Sequence, residues 1–272
     1  MGIDAGTRDG GATDAGGPSP DAGPDAGVGL DGGHDGGGSD SGTDAGEPSA
    51  RFALAFDGDG DDIQFPVSIG DLGTQFTFEL WVRPTSASAA GIDGAIVFSH
   101  RADCTDIDIE WSGSEASLLP QRFRFRVYPD SSCSWVVAED PGTSVVGEWH
   151  HVAGVFEDGD LRLYVDGSLV ASATQPLAIS WTTGLLGHWA GRDGPDSRPT
   201  RGGFIGEMDE IRISRSARYS GPTITPPTHF ALDADTVALW LLDEGTGTMA
   251  IDQSAAGFDG LIRNASWVPS TR

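Results

Sequence analysis

Apolar and polar residues alternate one by one along several short runs of this chain, and this alternation constrains the fold most strongly. In the clearest run, Phe76 to Val82, phenylalanine, leucine and valine alternate with threonine, glutamate and tryptophan, and Pro84 ends the run. A period of two directs alternate side chains to opposite faces of a strand, so each run predicts a half-buried antiparallel strand. Other runs with this period are 52–56, 106–110 and 122–127.

Short turn signals separate these runs. Asp158-Gly159 lies between the runs 150–156 and 161–165, and a second Asp-Gly pair follows at Asp166-Gly167. Asp-Gly between alternating runs is a strong hairpin signal. No segment of ten residues has helical periodicity, so the pattern predicts an all-β fold: a sandwich, a barrel or a jelly roll.

The first fifty residues differ from the rest in composition. They repeat Asp-Ala-Gly and Asp-Gly-Gly, and their only larger apolar residues are Met1, Ile3, Val28 and Leu30. Such a segment buries too little apolar surface to offset the entropy of ordering it. We expect residues 1–50 to form a disordered linker and residues 51–272 to form one domain.

The formal net charge of -25 limits the possible partners. Nucleic acids and anionic membrane surfaces both require a basic surface, so neither is an expected partner. The charge is compatible with a neutral glycan, a cationic partner or bound calcium. No stretch approaches eighteen consecutive apolar residues, so we expect no insertion of the domain into a membrane.

Two further features concern the cellular compartment. We expect the native gene to encode an export or lipid-anchoring segment just upstream of the N-terminal linker, which would hold the domain at the cell surface or release it outside the cell. Cys104 and Cys133 form no Cys-x-x-Cys motif, so a zinc thiolate site is not expected. In an oxidising compartment the two cysteines could form a disulfide between neighbouring strands, whereas in a cytosol they would be inert.

Six blocks in the folded part resemble the laminin-G-like, concanavalin A-like jelly-roll domains of extracellular proteins. The family implies two curved antiparallel sheets, frequent structural calcium, and binding of carbohydrate or protein rather than catalysis. A shared fold does not identify the ligand. The blocks follow one another in the order expected of the family and cover nearly all of 51–272: ALAFDG at 53–58, FTFELWVRP at 76–84, GEWHHVA at 147–153, LRLYVDG at 161–167, GEMDEIRI at 206–213 and LWLLDEG at 239–245.

An acidic turn follows the first predicted strand. Asp57, Asp59, Asp61 and Asp62 lie within six residues, and carboxylates this close repel one another unless they are solvated or share a cation. Calcium prefers six to eight oxygen ligands, so this turn is a candidate calcium site. The alternative is a solvated acidic turn.

Asp209 is the predicted partner of this turn. It shares strand parity with Ile211 and Ile213, so we expect its carboxylate to point into the apolar layer, where it needs a cation or hydrogen-bond donors. In the family that the chain resembles, the matching aspartate helps to hold calcium. We predict Asp57 and Asp209 as ligands, completed by Asp59 or Asp62 and by backbone carbonyls. Alternatively, arginine or backbone amides satisfy Asp209.

One strand carries a pattern of acids. Asp106, Asp108 and Glu110 share one face and resemble the Glu-x-Asp-x-Glu catalytic strand of family-16 glycoside hydrolases. A hydrolase using Asp106 and Glu110 is therefore an alternative function. Aspartate replaces glutamate at the nucleophile position, however, and the other blocks match the laminin-G-like pattern.

Three arginines lie on the next alternating strand, at 122, 124 and 126. A hairpin between the two strands would set the acids opposite the arginines, in a cross-strand ladder worth about 0.2–1 kcal/mol per pair. The carboxylates would then stay ionised and supply no proton donor.

Eight tryptophans are available for stacking against sugar rings. Trp111, Trp135, Trp181 and Trp189 fall outside the family blocks and are the predicted ligand contacts, although large aromatic residues more often pack in a core. The favoured function is a non-catalytic extracellular module that binds carbohydrate or protein. A structural or adhesive module without a small ligand is a further alternative.

Overall fold

The structure is a computed structural model, and it describes most of the chain from Arg51 onward. Cys104, Cys133, Asp106, Trp181 and the predicted linker 1–50 lie outside the described residues. The described ranges are 51–65, 72–85, 95–101, 107–114, 119–128, 135–142, 144–174, 187–190 and 203–272.

The strands are numbered β1 to β16 in chain order, and eight of them form sheet A. Their spatial order is β10-β9-β8-β3-β12-β1-β16, with β13 also beside β12. The strands of sheet A are β1 (Phe52–Asp57), β3 (Gln75–Pro84), β8 (His150–Glu157), β9 (Asp160–Val165), β10 (Ser168–Thr174), β12 (Ile205–Ser214), β13 (Thr236–Trp240) and β16 (Ser266–Pro269).

The other eight strands form sheet B, in the order β14-β15-β2-β11-β4-β5-β6-β7. Neighbouring strands in both sheets are antiparallel, which confirms the predicted all-β, two-sheet sandwich. No helix in the described ranges is long and apolar enough to cross a membrane. The strands of sheet B are β2 (Asp62–Phe65), β4 (Ala95–Arg101), β5 (Ile107–Ser114), β6 (Leu119–Val127), β7 (Val136–Glu139), β11 (Gly187–Ala190), β14 (Met249–Ala250) and β15 (Gly260–Arg263).

The core lies between the sheets, where the apolar faces of the alternating strands meet. Phe78 of sheet A packs edge-on against Phe98 of sheet B, with ring centroids 5.2 Å apart. Phe65 and Trp240 make a second contact between the sheets at 4.1 Å. All four side chains are buried, and each contributes about 2–3 kcal/mol of hydrophobic free energy.

Both predicted Asp-Gly hairpins are confirmed. Asp158 and Gly159 join β8 to β9 with φ of 48° and 101°, and Asp166 and Gly167 join β9 to β10 with φ of 49° and 82°. Positive φ at both central residues is the signature of the type I′ turn, whose twist matches that of the flanking strands. Asp-Gly is preferred there because aspartate and glycine tolerate this backbone conformation.

A β-bulge in β12 overturns the predicted direction of Asp209. Asp209 pairs with Trp81 and Ile211 pairs with Leu80, so Glu210 is an extra residue, and its φ is 41°. The extra residue shifts the alternation by one, so Asp209 lies with Trp81 on the outer face of sheet A while Ile211 stays in the core. The prediction that Asp209 points into the apolar layer is wrong, because the bulge at Glu210 puts Asp209 and Ile211 on opposite faces of the sheet.

The segment between β12 and β13 packs over this outer face. The Tyr219 hydroxyl donates to the carboxylate of Glu79 at 2.6 Å, and the Tyr219 ring packs beside that of Tyr164. Glu79 also accepts from Arg212 at 2.8 Å, and His151 lies 3.2 Å from it. Burial disfavours the charged form of Glu79, but these hydrogen bonds outweigh it and lower its pKa. The polar side chains around Glu79 therefore bond to other side chains of the protein.

His150 lies between two acceptors beside the second hairpin. Its Nδ1 is 2.7 Å from Asp166 Oδ2, and its Nε2 is 3.0 Å from the carbonyl oxygen of Val145. Only the imidazolium donates from both nitrogens. Burial alone would lower the pKa of His150, but the hydrogen bonds to Asp166 and Val145 and the negative charges of Asp166 and Glu148 together outweigh burial and raise it.

Replacing Asp166 with Asn should reveal this charge. Asn keeps the positive-φ turn and its carbonyl still accepts from the His151 amide, but the negative charge is lost. The variant should lose about 1 kcal/mol of stability below the ordinary histidine pKa of about 6.5. This loss should shrink as pH rises through the raised pKa of His150, because that stabilisation exists only while the imidazole is protonated. Urea unfolding from pH 5.5 to 9 measures it, and a pH-independent difference would contradict the assignment.

Glycine at 154 is required by the packing between the sheets. A Cβ added to Gly154 on β8 would lie 2.4 Å from Cδ2 of Phe125 on β6. Alanine at this position should cost about 1–3 kcal/mol through overpacking, although alanine in a strand is otherwise more favourable than glycine. Chemical denaturation of Gly154→Ala in the wild-type and Phe125→Leu backgrounds measures this cost. An equal cost in both would exclude the clash with Phe125.

Candidate functional site

The outer face of sheet B carries the acids of the predicted catalytic-like strand. Ile107, Ile109 and Trp111 are buried in the core, so Asp108 and Glu110 lie on the opposite face of β5. Both acids are nevertheless buried, at 1% and 0% exposure. Buried carboxylates need charged or hydrogen-bonding partners.

The neighbouring strand supplies these partners. In the β5–β6 ladder Asp108 is paired with Arg126 and Glu110 with Arg124. The Arg126 guanidinium is 3.5 Å from the Asp108 carboxylate and also contacts Glu110, and Ser99 Oγ donates to Asp108 at 2.6 Å. The predicted ladder of acids opposite arginines is confirmed for these described residues.

A third strand extends the ladder. Glu139 on β7 is paired with Arg124, and its carboxylate lies 2.5 Å from Arg124 Nε and also contacts Arg122. Three carboxylates therefore balance three guanidiniums across adjacent strands. We call this surface the ladder face, made up of Asp108, Glu110, Arg122, Arg124, Arg126 and Glu139.

An aromatic platform lies at one end of the ladder face. The Arg126 guanidinium carbon is 5.6 Å from the ring centroid of Tyr128 and 5.8 Å from that of Trp135. The two rings are 6.0 Å apart, and Trp135 is 56% exposed, the highest exposure among the large apolar side chains described. An exposed indole held by a cation and a second ring is suited to stacking against a ligand.

The other predicted ligand contacts have different outcomes. Trp111 is fully buried and its ring packs 4.8 Å from that of Phe123, so the prediction that it contacts a ligand is wrong. Trp111 has the same parity in β5 as Ile107 and Ile109, so its side chain lies on the face opposite Asp108 and Glu110. Trp181 lies outside the described residues. For Trp189 only the backbone is described, and it pairs with Gln64 and with Ser99 in sheet B.

Asp209 belongs to a cluster of ion pairs that brings together Arg51 and Arg272, from the beginning and the end of the domain's sequence. Its Oδ2 accepts from Arg272 Nε at 3.0 Å and from Ser270 Oγ at 3.1 Å, and Arg51 lies 3.6 Å from its Oδ1. Both arginines also contact Glu210. Burial raises the pKa of Asp209, and the two arginines partly offset that effect. We call Arg51, Asp209, Glu210 and Arg272 the terminal clasp.

The acidic turn is separate from this clasp. The amide of Asp57 donates to Asp61, and that of Asp59 donates to Asp57 at 2.9 Å. Burial and the nearby Asp57 carboxylate raise the pKa of Asp61. Asp62 is held by Arg263 at 2.7 and 2.5 Å.

The predicted calcium ligands are therefore not brought together. Asp57 pairs with Ile205 in the β1–β12 ladder, four residues from Asp209, which is roughly 13 Å along the strand. Asp62 and Asp209 are also engaged by arginines, so this set does not fit a calcium ion. Within the described ranges, no group of three or more His, Cys, Asp or Glu side chains is arranged to hold a metal. Calcium binding by other groups stays a prediction.

The fold and this arrangement of strands agree with a sequence-family match. Residues 57–221 match the family model described as the concanavalin A-like lectin/glucanases superfamily. The chain belongs to this superfamily. The resemblance noted from the six sequence blocks is thereby confirmed. No curated protein matches the chain in sequence.

Several solved structures are similar to this chain at low sequence identity. A Bacteroides ovatus protein to which carbohydrate binding is ascribed is 15% identical with a TM-score of 0.61, over 82% of this chain and 61% of that protein. Domains LG4-5 of the mouse laminin α1 chain are 18% identical, with a TM-score of 0.47, over 66% and 48%. The CBM40 module of a Ruminococcus gnavus sialidase, bound to α2,3-sialyllactose, is 14% identical, with a TM-score of 0.42, over 54% and 79%.

Sequence reasoning missed several residues of these clusters. Glu139 completes the ladder face and Tyr128 the aromatic platform, and the only local signal for Glu139 is a charge at the end of a short apolar run. The terminal clasp joins residues that are far apart in sequence: Arg51 is 159 residues from Glu210, and Arg272 is 62 residues from it. No local pattern connects such residues.

Replacing Asp209 with Asn tests whether it pairs with arginine or binds a metal. Losing one partner of a buried ion pair should cost about 3 kcal/mol of unfolding free energy. Because the partners are Arg272 and Arg51, the loss should be the same in calcium and in EGTA, as measured by urea unfolding. Asp243→Asn is the matched control: Asp243 is partly exposed and also faces Arg51, so its loss should stay below about 1 kcal/mol. A calcium-dependent stabilisation that Asp209→Asn abolishes would restore the ligand hypothesis.

Proposed function

We propose that this protein is a non-catalytic carbohydrate-binding module whose ligand lies on the ladder face and stacks on Trp135. The observation that carries the proposal is the indole of Trp135, which is 56% exposed and supported from beneath by Arg126. Sugar rings present apolar C–H faces that pack against such a ring, while their hydroxyl groups bond to polar side chains beside it.

The outer faces of the two sheets differ in a way that favours sheet B. On sheet A the polar side chains around Glu79 are covered by the segment that carries Tyr219. On sheet B the exposed ring lies directly beside charged side chains. Membership of a superfamily that includes lectins and the carbohydrate binding ascribed to the Bacteroides ovatus protein both support a sugar as the ligand.

The ladder also argues against hydrolysis. A glycosidase needs one carboxylic acid that donates a proton and a second carboxylate in a defined position. Glu110 contacts Arg126, and an ion pair with a guanidinium stabilises the ionised carboxylate. We therefore propose binding rather than turnover. We further propose that the module acts outside the cell with residues 1–50 as its tether, because the resemblance is to extracellular proteins.

Replacing Trp135 with Ala tests the platform. Loss of a central stacking ring should weaken polysaccharide binding by about 2 kcal/mol, which is roughly thirtyfold in Kd. Isothermal titration calorimetry against soluble β-glucan, xylan, arabinan and galactomannan measures the change. Leu232→Ala is the control, because Leu232 is similarly exposed, at 50%, on the segment that covers sheet A.

Two results would contradict the proposal. Unchanged affinity in the Trp135 variant would show that the ligand binds elsewhere. Release of reducing sugar by the wild type, lost in Glu110→Gln, would show that the protein is a hydrolase.

A further inference from the structure

The charges of the ladder face cancel within the protein. Arg126 is shared by Asp108 and Glu110, while Arg122 and Arg124 share Glu139. From this balance we infer that the glycan bound by the module is uncharged, an inference that rests on the proposed function.

The geometry of the arginines supports this assignment. Recognition of a uronic or sialic acid carboxylate depends on a guanidinium that can offer two parallel N–H donors. On the ladder face the guanidiniums are directed at protein carboxylates, and their side chains are only 6%, 16% and 19% exposed for Arg126, Arg124 and Arg122. An anionic sugar that took Arg126 from Asp108 and Glu110 would leave a buried carboxylate uncompensated, at a cost of several kcal/mol, and one that took Arg122 or Arg124 would have to displace Glu139.

The net charge of the whole protein also disfavours an anionic ligand. A formal charge of -25 repels polyanions at long range and slows their approach. The exposed ring of Trp135 requires no charge on its ligand, because stacking acts on the apolar face of the sugar. Local pairing and the overall field thus both favour a neutral polysaccharide.

Binding of the full chain to a matched panel tests the inference. Neutral probes are mixed-linkage β-glucan, xylan, arabinan and galactomannan, and anionic probes are polygalacturonate, alginate and sialyllactose. We expect the wild type to bind at least one neutral probe more than tenfold more tightly than any anionic probe. We also expect that affinity to change less than twofold between 20 and 500 mM NaCl, since no ion pair forms with the ligand.

Removing one carboxylate should reverse the selectivity. In Glu139→Gln, Arg122 and Arg124 lose their shared partner, so the face gains a net positive charge. Affinity for polygalacturonate at 20 mM NaCl should rise on the order of fivefold and fall back at 500 mM NaCl. Glu157→Gln is the matched control: Glu157 pairs with Arg162 on sheet A, so its loss changes the net charge equally but should produce no such gain.

Each other outcome has a distinct meaning. Wild-type binding to an anionic probe as tight as to any neutral one would overturn the inference and leave the carbohydrate-binding function intact. An equal gain in both glutamine variants, or none in Glu139→Gln, would show that the paired arginines do not exclude anions and would also overturn it. No binding to any probe would overturn the proposed function together with the inference.

Discussion

Burial of one apolar face of each sheet against the other is the constraint on which the rest of the structure depends. Phe78, Phe98, Phe65 and Trp240 occupy the space between the sheets, and each alternating strand must direct its other side chains outward. Most polar side chains of the described strand residues therefore lie on one of the two outer faces. The chemistry of the protein then depends on how the charged side chains of each outer face are paired and how far they are buried.

The two outer faces use their charges differently. On sheet A three carboxylates are enclosed: Glu79 lies beneath the segment carrying Tyr219, and Asp209 and Glu210 lie within the terminal clasp. Buried ion pairs of this kind fix the arrangement of groups more than they add stability, because desolvation offsets much of the attraction. On sheet B the same pairing rule produces a neutral ladder that ends at the exposed ring of Trp135, and a surface with that composition is suited to a ligand.

Much of this could be read from the sequence where the information is local. The alternation around Asp108 and Arg126 was enough to predict two strands with charges facing each other, because a hairpin partner lies close in sequence. The bulge at Glu210 could not be read in the same way. It adds one residue within an apparently regular run, and its φ of 41° gives no compositional signal since the residue is not glycine. The predicted calcium ligands are kept apart for a different reason that is also nonlocal: Asp57 lies roughly 13 Å along β12 from Asp209, and arginines hold Asp62 and Asp209.

The sequence by itself determined the all-β class, the two Asp-Gly hairpins and the charge ladder, because period-two patterning and turn chemistry act between near neighbours. Only the tertiary structure decided that Trp135 lies on the surface against Arg126 and Tyr128, since it precedes β7 and no alternating run of the sequence includes it. It also decided that Arg51 and Arg272 meet at Glu210. Contacts between distant segments depend on which strands become neighbours and on how each strand is offset, and the packing of the whole domain sets both.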